Sequence, residues 1–234
     1  AVTAHDVLGE RSLAVTASSP TMAPTELEEA VSLAQKLGLR HRVIETHELS
    51  DPKYVANGPL RCYFCKTELY TRLHPIASEE WLAWVASGTN LDDLGDYRPG
   101  LEAGQKYKIR NPLVEAGLTK KDVRALSRQR GLPTWDKPAQ PCLSSRIPYG
   151  TPVSVEALGR IAKAEACLKE LGLRQVRVRH HETIARIEVE PEDMALLLQP
   201  EVREKLVTDM RALGYLYVTL DLAGFHTGSL NAAL

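Results

Sequence analysis

Three cysteines, placed in two parts of the chain, have the spacing of a metal site. Cys62 and Cys65 form a C-x-x-C pair in RCYFCK, and Cys142 follows much later in AQPCLSSRIPYG. Zinc takes four protein ligands in a structural site, and three plus an open position in a catalytic one. A [4Fe–4S] cluster held by three thiolates leaves one iron open. The pattern therefore fits an open metal site, but a lone C-x-x-C also occurs as a buried pair of small residues.

The fourth cysteine, Cys167, lies in a segment whose apolar residues recur at the spacing of a helix. Those apolar residues are Leu158, Ile161, Ala164, Leu168 and Leu171. In such a place a cysteine behaves as a small hydrophobic side chain. We therefore predict that Cys167 is buried in the core and is not needed for the chemistry.

Length and composition limit the class of protein. The chain has 234 residues, of which 44% are hydrophobic, and its net charge is −1. The near-neutral charge gives no general electrostatic attraction to nucleic acid. No apolar run approaches the ~18 residues needed to cross a membrane, and no signal peptide is apparent. We expect a cytoplasmic homo-oligomer in a reducing compartment, without a membrane partner and with no nucleic-acid partner favoured.

Short apolar runs alternate with amphipathic segments in the first part of the chain. We predict strands at 12–17, 41–46 and 81–88, helices at 25–38 and 119–131, and a helix that starts at the C-x-x-C pair and is broken by Pro75. Alternation of strand and helix is typical of a Rossmann-like α/β domain with a parallel sheet. Ligands bind such sheets at the carboxyl ends of the strands, here near Ala17 and residues 88–90.

A proline-rich segment at 132–150 precedes a second, smaller unit. We predict there a helix at 154–172, strands at 175–180 and 184–190, a helix at 191–213 and a strand at 215–222. This order is that of a small α+β domain. The sequence therefore predicts two domains, an α/β domain over 1–140 and an α+β domain over 141–234.

The segment GTNLDDLGDYRPG follows a predicted strand and is rich in glycine and acids. Its candidate ligand residues are Gly88, Thr89, Asn90, Asp92, Asp93 and Arg98. At the carboxyl end of a strand these residues suit a nucleotide or a Mg²⁺ ion. The alternative is a polar loop in which the aspartates serve as turn residues.

The segment RVRHHETIARIEVE has the pattern of a β-hairpin. Arg177 and Arg179 share one face of its first strand, because side chains alternate along a strand. Two guanidinium groups on one face can clamp a phosphate or a carboxylate. The alternative is a half-buried strand in which the arginines pair with Glu188 and Glu190.

Three more polar residues have two interpretations each. Glu165 lies in an otherwise apolar helix, where it is either a satisfied polar residue at the edge of the core or a catalytic acid. His180 and His181 fall at the predicted turn of the hairpin, and we expect them on the surface rather than in a catalytic site.

Five stretches of this chain match a known family, and together they run over nearly all of it. They are ELSDPKYVANGPLRCYFCK, GTNLDDLGDYRPG, GLTKKDVRALSRQRGLPTWDKPAQPCLSSRIPYGT, RVRHHETIARIEVE and LDLAGFHTGSLN. The chain closely resembles the ATP-dependent sacrificial sulfur transferases of the LarE family, in the PP-loop pyrophosphatase superfamily. The resemblance implies a PP-loop domain followed by a sulfur-transferase domain.

The resemblance also implies the reaction. The family uses ATP and Mg²⁺ to adenylate a carboxylate of pyridinium-3,5-biscarboxylic acid mononucleotide, then replaces AMP by sulfur, on the route to the nickel-pincer nucleotide cofactor. In one branch a cysteine that matches Cys142 gives up its own sulfur. In the other, cysteines that match Cys62, Cys65 and Cys142 hold a [4Fe–4S] cluster, and this chain has all three. The family further implies Arg177 and Arg179 as substrate-phosphate ligands and Glu165 as a general base.

One departure from the family affects activity. PP-loop enzymes carry an SGGxDS phosphate loop, which is absent here, and AVTAHDVLGE resembles the end of the helix after that loop. We therefore expect that the first strand and the phosphate loop are missing and that this chain alone does not adenylate its substrate. Two other functions stay open. One is a PP-loop tRNA thiolase with a three-cysteine cluster, and the other is a non-enzymatic zinc-binding protein.

Overall fold

A computed structural model describes residues 1–95 and 99–226. The chain divides into two compact units. The N-terminal unit consists of Ala1–Ser19, Leu27–Tyr54 and Pro59–Ala139. The C-terminal unit contains the described residues from Gln140 on, together with two short earlier segments, Pro20–Glu26 and Val55–Gly58. Nothing in the sequence pattern indicated that these two segments belong with the C-terminal half.

The first part of the chain forms a parallel pair of strands connected by a helix. Helix α1 (Val2–Leu8) precedes strand β1 (Ala14–Ser18), helix α2 (Pro24–Lys36) and strand β2 (His41–Glu45). The two strands pair in parallel, with Ala14 opposite His41 and Ser18 opposite Glu45. Both strands lie within one residue or two of the apolar runs that predicted them, since short β-branched runs favour strands.

Helices make up most of the remaining N-terminal unit. They are α3 (Pro52–Val55), α4 (Arg61–Glu79), α5 (Pro99–Lys106), α6 (Pro112–Glu115) and α7 (Lys120–Gln129). Tyr70 of α4 and Ala103 of α5 pack with Ile109 in a small apolar core. Pro75 lies inside α4, which continues to Glu79, so the prediction that this proline breaks the helix is wrong. Packing of α4 against α5 offsets the hydrogen bond that the proline removes.

The predicted strand at 81–88 is also wrong. Within the described residues, this segment forms an isolated parallel bridge between Ala86 and Arg110 rather than a strand. Trp81 is 95% exposed and Trp84 is 62% exposed, and the Arg110 guanidinium lies 5.0 Å from the Trp84 ring centre. The apolar composition therefore does not reflect burial here, and a strand without continuous backbone pairing does not form.

The C-terminal unit has the predicted α+β order, with one helix divided. Its elements are α8 (Val155–Glu170), β3 (Val176–His181), β4 (Ile184–Val189), α9 (Met194–Leu197), α10 (Pro200–Ala212) and β5 (Tyr217–Leu220). The sheet order is β3-β4-β5, with an antiparallel and then a parallel pair. The helix predicted at 191–213 is interrupted because Pro200 starts a new helix, as prolines favour the first turn.

One face of the three-stranded sheet is apolar and carries the core of this unit. Val176, Val178 and Ile187 are each at most 2% exposed and pack with Leu168 and Met210. Cys167 packs against this core but is half-buried, so the prediction that it is buried was too strong. The side chains that alternate with the core positions face the other way, and this second face is rich in charge.

Asn57 connects one of the short early segments with the rest of the C-terminal unit. Its side chain is fully buried, and its Nδ2 donates to the carbonyl oxygens of Pro148 and Thr151, both at 2.8 Å. The residue has a φ of 53°, a left-handed conformation that asparagine tolerates better than most residues. Its own carbonyl accepts from the Gly150 amide at 3.1 Å. A single residue thus satisfies several backbone groups of a loop far along the chain.

No helix among the described residues is both long enough and apolar enough to cross a lipid bilayer.

Candidate functional site

Cys142 stands at the start of a short 3₁₀ turn, Leu143–Arg146, in the C-terminal unit. The Leu143 amide donates to the Thr21 carbonyl at 2.8 Å, and the Ser145 amide donates to the Cys142 carbonyl at 2.9 Å. Cys142 itself is half-buried. The backbone on the C-terminal side of the cysteine is therefore held by hydrogen bonds, although the segment is rich in proline and irregular.

Arg146 is the most heavily bonded side chain near Cys142. It is 1% exposed, and each of its three nitrogens donates a hydrogen bond. Nε and Nη2 donate to the two carboxylate oxygens of Glu165, at 2.7 and 3.0 Å. Nη1 donates to the Pro141 carbonyl at 2.7 Å, the Ser145 hydroxyl at 2.9 Å and the Cys142 carbonyl at 3.3 Å. A guanidinium can do this because its planar fork carries five N–H donors.

Glu165 lies on α8 and is 4% exposed. In addition to the two hydrogen bonds from Arg146, its Oε1 accepts from the Val178 amide at 3.0 Å. A buried carboxylate is tolerated when it is paired and hydrogen-bonded in this way. The structure therefore agrees with a satisfied polar residue, and the role of Glu165 as a general base stays a prediction.

A second buried ion pair lies on the charged face of the sheet. Arg179 donates through Nε and Nη2 to the two oxygens of Glu188, at 2.9 and 2.7 Å, and through Nη1 to the Ser145 carbonyl at 2.7 Å. Glu188 is fully buried and also accepts from Arg186 at 3.2 Å. The pairing with Glu188 is thus confirmed for Arg179, but the strand is buried rather than half-buried.

Arg177 shares this face and is 3% exposed. Its guanidinium lies 5.1 Å from the centre of the Phe225 ring, and its Nη1 donates to the Val176 carbonyl at 2.8 Å. Burial, and then the positive charge of Arg146, lower the pKa of Arg177 to about 10, so that it stays charged at neutral pH. Neither Arg177 nor Arg179 is an open surface clamp, and phosphate binding by them stays a prediction.

Together these groups form a buried charged cluster, defined as Arg146, Arg177, Arg179, Glu165 and Glu188. All five residues are at most 6% exposed. Three positive and two negative groups leave a net charge of +1 in the cluster. Such an excess favours an anionic ligand beside it, because a low-dielectric surrounding strengthens the attraction.

Cys62 and Cys65 lie in the first turns of α4, as predicted, and belong to the N-terminal unit. Cys62 is exposed, Cys65 is half-buried, and neither they nor Cys142 form a disulfide. Among the residues the structure describes, no three histidine, cysteine, aspartate or glutamate side chains form a ready metal site. Three thiols are a suitable donor set for an iron–sulfur cluster. That the three share one cluster stays a prediction, because Cys142 belongs to the other unit.

In the acidic loop, side-chain oxygens accept hydrogen bonds from nearby backbone amides and so stabilise turns. The backbone amide of Asn90 donates to the Asp93 carboxylate, and the backbone amide of Asp92 donates to the side-chain oxygen of Asn90, both at 3.0 Å. Asp92 also accepts from the Lys120 amide at 2.5 Å, at the start of α7. These contacts fit the alternative of Asp-rich turn chemistry. Binding of nucleotide or Mg²⁺ by this loop stays a prediction, and Arg98 lies outside the described residues.

Three smaller residues of the predicted nucleotide site are placed as follows. Ala17 is half-buried near the carboxyl end of β1, opposite Ile44. Thr89 exchanges a hydrogen bond of 2.8 Å with Ser87. A Cβ atom on Gly88 would meet no atom within 4 Å, so this glycine is not required by packing.

Sequence reasoning misjudged His180 and did not assign Arg146 and Glu188 to the site. His180 is 7% exposed and its Nδ1 lies 3.1 Å from the Tyr215 hydroxyl, because β3 extends through His181 and the turn begins only at Glu182. Burial, and then the charge of Arg160, lower the pKa of His180. The signal for Arg146 was an arginine as the one charged residue between positions 138 and 150 of the proline-rich segment.

Comparison with known proteins shows to which family this chain belongs. No model of a protein family matches the chain. The chain is 48% identical, over 99% of its length and 86% of the relative, to an uncharacterised protein of Synechocystis sp.. It is 27% identical over 90% of its length to an uncharacterised protein of Methanocaldococcus jannaschii. It is 39% identical, over 99% of its length and 83% of the relative, to the pyridinium-3,5-bisthiocarboxylic acid mononucleotide synthase of Lactiplantibacillus plantarum. The chain belongs to the family of that synthase.

Proposed function

We propose that this protein is an ATP-dependent sulfur transferase that converts a carboxylate of pyridinium-3,5-biscarboxylic acid mononucleotide into a thiocarboxylate. The observation that carries the proposal is 39% identity to the Lactiplantibacillus plantarum synthase over 99% of this chain. The buried charged cluster beside the Cys142 segment supports it, since the substrate carries a phosphate and two carboxylates. A cluster with net positive charge favours binding of such an anion.

The reaction needs activation because a carboxylate is a poor electrophile. A substrate carboxylate oxygen attacks the α-phosphorus of ATP, which releases pyrophosphate and forms an acyl adenylate. A sulfur nucleophile then attacks the acyl carbon and expels AMP, which leaves a thiocarboxylate. In this proposal ATP lies at the carboxyl end of β1, near Ala17, and beside the loop from Gly88 to Asp93. Asp92 and Asp93 orient Mg²⁺ on the phosphates, since carboxylate oxygens are its usual protein ligands.

Cys62, Cys65 and Cys142 would hold a [4Fe–4S] cluster, whose open iron supplies the sulfide when the cluster is bound. The reason for preferring this branch to a sacrificial Cys142 is that all three thiols are present. Arg177 and Arg179 bind the phosphate of the substrate and so hold its carboxylate for attack. Binding energy from this remote phosphate contributes to rate by positioning the reacting group.

The proposal is tested by incubating a purified form of the protein that also carries the family's SGGxDS phosphate loop, under anaerobic conditions, with ATP, Mg²⁺ and the biscarboxylic mononucleotide. We expect a product in which sulfur replaces oxygen, detected by mass spectrometry, together with AMP and pyrophosphate. Omission of ATP is the control for the adenylation step, and unmodified tRNA is the alternative substrate. Sulfur in tRNA with none in the mononucleotide would overturn the proposal in favour of a tRNA thiolase. Zinc as the bound metal, without iron or sulfide, would overturn the cluster assignment.

A further inference from the structure

We infer that Arg146 is a positioning residue for Cys142, and that Glu165 influences sulfur transfer through Arg146 rather than as a proton acceptor. The inference rests on the proposed function only in treating Cys142 as a thiol that takes part in the transfer. It concerns residues of the C-terminal unit alone.

The first step is the contact between Arg146 and the backbone of the cysteine. Nη1 of Arg146 donates to the carbonyl oxygens of Pro141 and Cys142, at 2.7 and 3.3 Å. These two carbonyls belong to the peptide planes on either side of the Cys142 Cα atom. Holding both planes holds the backbone dihedral angles of Cys142, and thereby the direction of its Cα–Cβ bond. The guanidinium therefore limits the thiol to the few positions that rotation about the Cα–Cβ bond allows.

The second step is the anchor on the far side of the guanidinium. Nε and Nη2 of Arg146 are held by the carboxylate of Glu165, which belongs to helix α8. The same carboxylate accepts from the Val178 amide of strand β3 at 3.0 Å. A continuous chain of hydrogen bonds thus runs from the cysteine backbone through Arg146 to a helix and a strand of the scaffold. Rigid elements of this kind hold a reacting group more accurately than a loop does alone.

The third step is the requirement for an arginine. A lysine would keep the positive charge but would lose the planar fork that reaches a carboxylate on one edge and two carbonyls on another. Arg146 is 1% exposed and Glu165 is 4% exposed, so water does not compete for these contacts. Burial strengthens each hydrogen bond and also makes the loss of one partner costly.

The competing assignment makes Glu165 the general base. Its oxygens already accept three hydrogen bonds, and a proton on the carboxylate would weaken its ion pair with Arg146. A general base must also come within hydrogen-bond reach of the proton that it removes. A carboxylate held by a helix, a strand and a guanidinium suits an anchor better than a proton acceptor. The two assignments differ in what they predict for the reactivity of Cys142.

The first experiment measures the alkylation of Cys142 by iodoacetamide in the purified full chain without bound iron, with peptide mapping by mass spectrometry. We expect Arg146→Lys and Glu165→Gln each to change the rate constant at Cys142 by about fivefold or more, because the segment opens locally. Cys167 is the internal reference and its rate constant stays unchanged. Arg203→Lys is the matched control, since Arg203 is exposed and lies outside the cluster. Equal rates at Cys142 in Arg146→Lys and Arg203→Lys would overturn the inference.

The second experiment measures sulfur transfer in the two single variants and in the double variant. Residues that act as one unit give a double variant no worse than the more damaging single variant. We expect that result, with kcat lowered about tenfold and the KM for ATP unchanged. If the activity losses of the two single variants multiply in the double variant, Glu165 acts as the general base and the inference is overturned. The same holds if Glu165→Gln loses activity while Cys142 is alkylated at its normal rate. Should Arg146→Lys fold poorly, Glu165→Gln still decides the question through the alkylation rate.

The two experiments separate this inference from the proposed function. Alkylation needs neither substrate nor ATP, so it tests the link from Glu165 through Arg146 to Cys142 even in a protein without sulfur-transfer activity. An active protein with unaltered Cys142 reactivity in the variants would leave the function standing and remove the positioning role.

Discussion

Arg179 of β3 binds Glu188 of β4 across a diagonal of the sheet. In the register of the two strands, Glu188 lies opposite Arg177, and Arg179 lies opposite Arg186. The Arg179 guanidinium nevertheless reaches both oxygens of Glu188, at 2.9 and 2.7 Å. One fully buried carboxylate therefore balances charge from more than one arginine on the same face. The arrangement limits how any single arginine of this face can be replaced.

Replacing Arg179 with alanine is expected to destabilise the protein strongly. The change leaves Glu188 buried without its bidentate partner, which costs about 3–5 kcal/mol of unfolding free energy. Urea unfolding followed by circular dichroism measures the loss. Arg203→Ala, in an exposed arginine of α10, should change the unfolding free energy by less than about 0.5 kcal/mol. A similar small effect in Arg179→Ala would show that the pair does not contribute to stability.

Replacing Arg177 with lysine is expected to weaken binding of the mononucleotide but not of ATP. Lysine keeps the charge and loses the fork that matches a phosphate, so the KM for the mononucleotide should rise about tenfold. Steady-state kinetics with each substrate varied in turn gives the two KM values. Equal increases for both substrates, or no increase, would support the alternative of a purely structural strand.

Replacing Asp92 with asparagine separates a turn role from a ligand role. Asparagine keeps an oxygen that can accept from the Lys120 amide, so the loop and the start of α7 should remain folded. The loss of charge should raise the KM for Mg–ATP several-fold, because a neutral oxygen is a weaker ligand for Mg²⁺. Activity measured against Mg²⁺ concentration tests this expectation. Unchanged Mg²⁺ dependence would leave Asp92 with the turn role alone.

The four cysteines should differ in their importance for iron binding. Cys62→Ala, Cys65→Ala and Cys142→Ala should each reduce bound iron and sulfide to background after anaerobic reconstitution. Cys167→Ala should bind as much as the parent protein, since burial and then the charge of Asp209 raise the pKa of its thiol. Iron and sulfide analysis per chain gives the result. Retention of the cluster in Cys142→Ala would contradict the three-cysteine assignment.

Acid should destabilise the protein through His180. Burial, and then Arg160, lower the pKa of His180 below its usual 6.5, so the folded state takes up its proton less readily than the unfolded state. As the pH falls below about 6.5, the unfolded state gains protons and stability decreases, whereas above that pH the contribution is flat. His180→Asn should flatten the fall in melting temperature between pH 7 and pH 5.5.

The control for this prediction is His47→Asn, in an exposed histidine of the N-terminal unit. This variant should keep the pH dependence of the parent protein. If His180→Asn keeps it as well, the acid sensitivity arises from other groups.

The sequence predicted the regular elements where local signals are strong. The helix at α7 is an example, because Thr119 and Asp122 form a capping box that a short window of sequence contains. The alternation in β3 and β4 likewise indicated which side chains share a face. Such features depend on neighbours along the chain, and these are visible before folding.

Features that depend on distant partners were missed or misjudged. Trp81 and Trp84 are apolar and fall in the strand predicted at 81–88, yet both are exposed, because exposure is decided by what packs against a side chain. Arg146 joins the site through Glu165, nineteen residues away, and no periodic pattern connects the two. Its burial follows from tertiary packing, which overrides local propensity.

Asn57 has a consequence for dissecting this protein. Its hydrogen-bond partners at Pro148 and Thr151 lie 91 and 94 residues further along the chain. A gene fragment starting at residue 140 would therefore express the later half with two carbonyls that have lost their donor. During synthesis on a ribosome, Asn57 leaves the exit tunnel long before these carbonyls exist. A single break in the chain therefore cannot separate the two units. Reassembly from two separately expressed fragments should succeed only when the first fragment extends past Asn57.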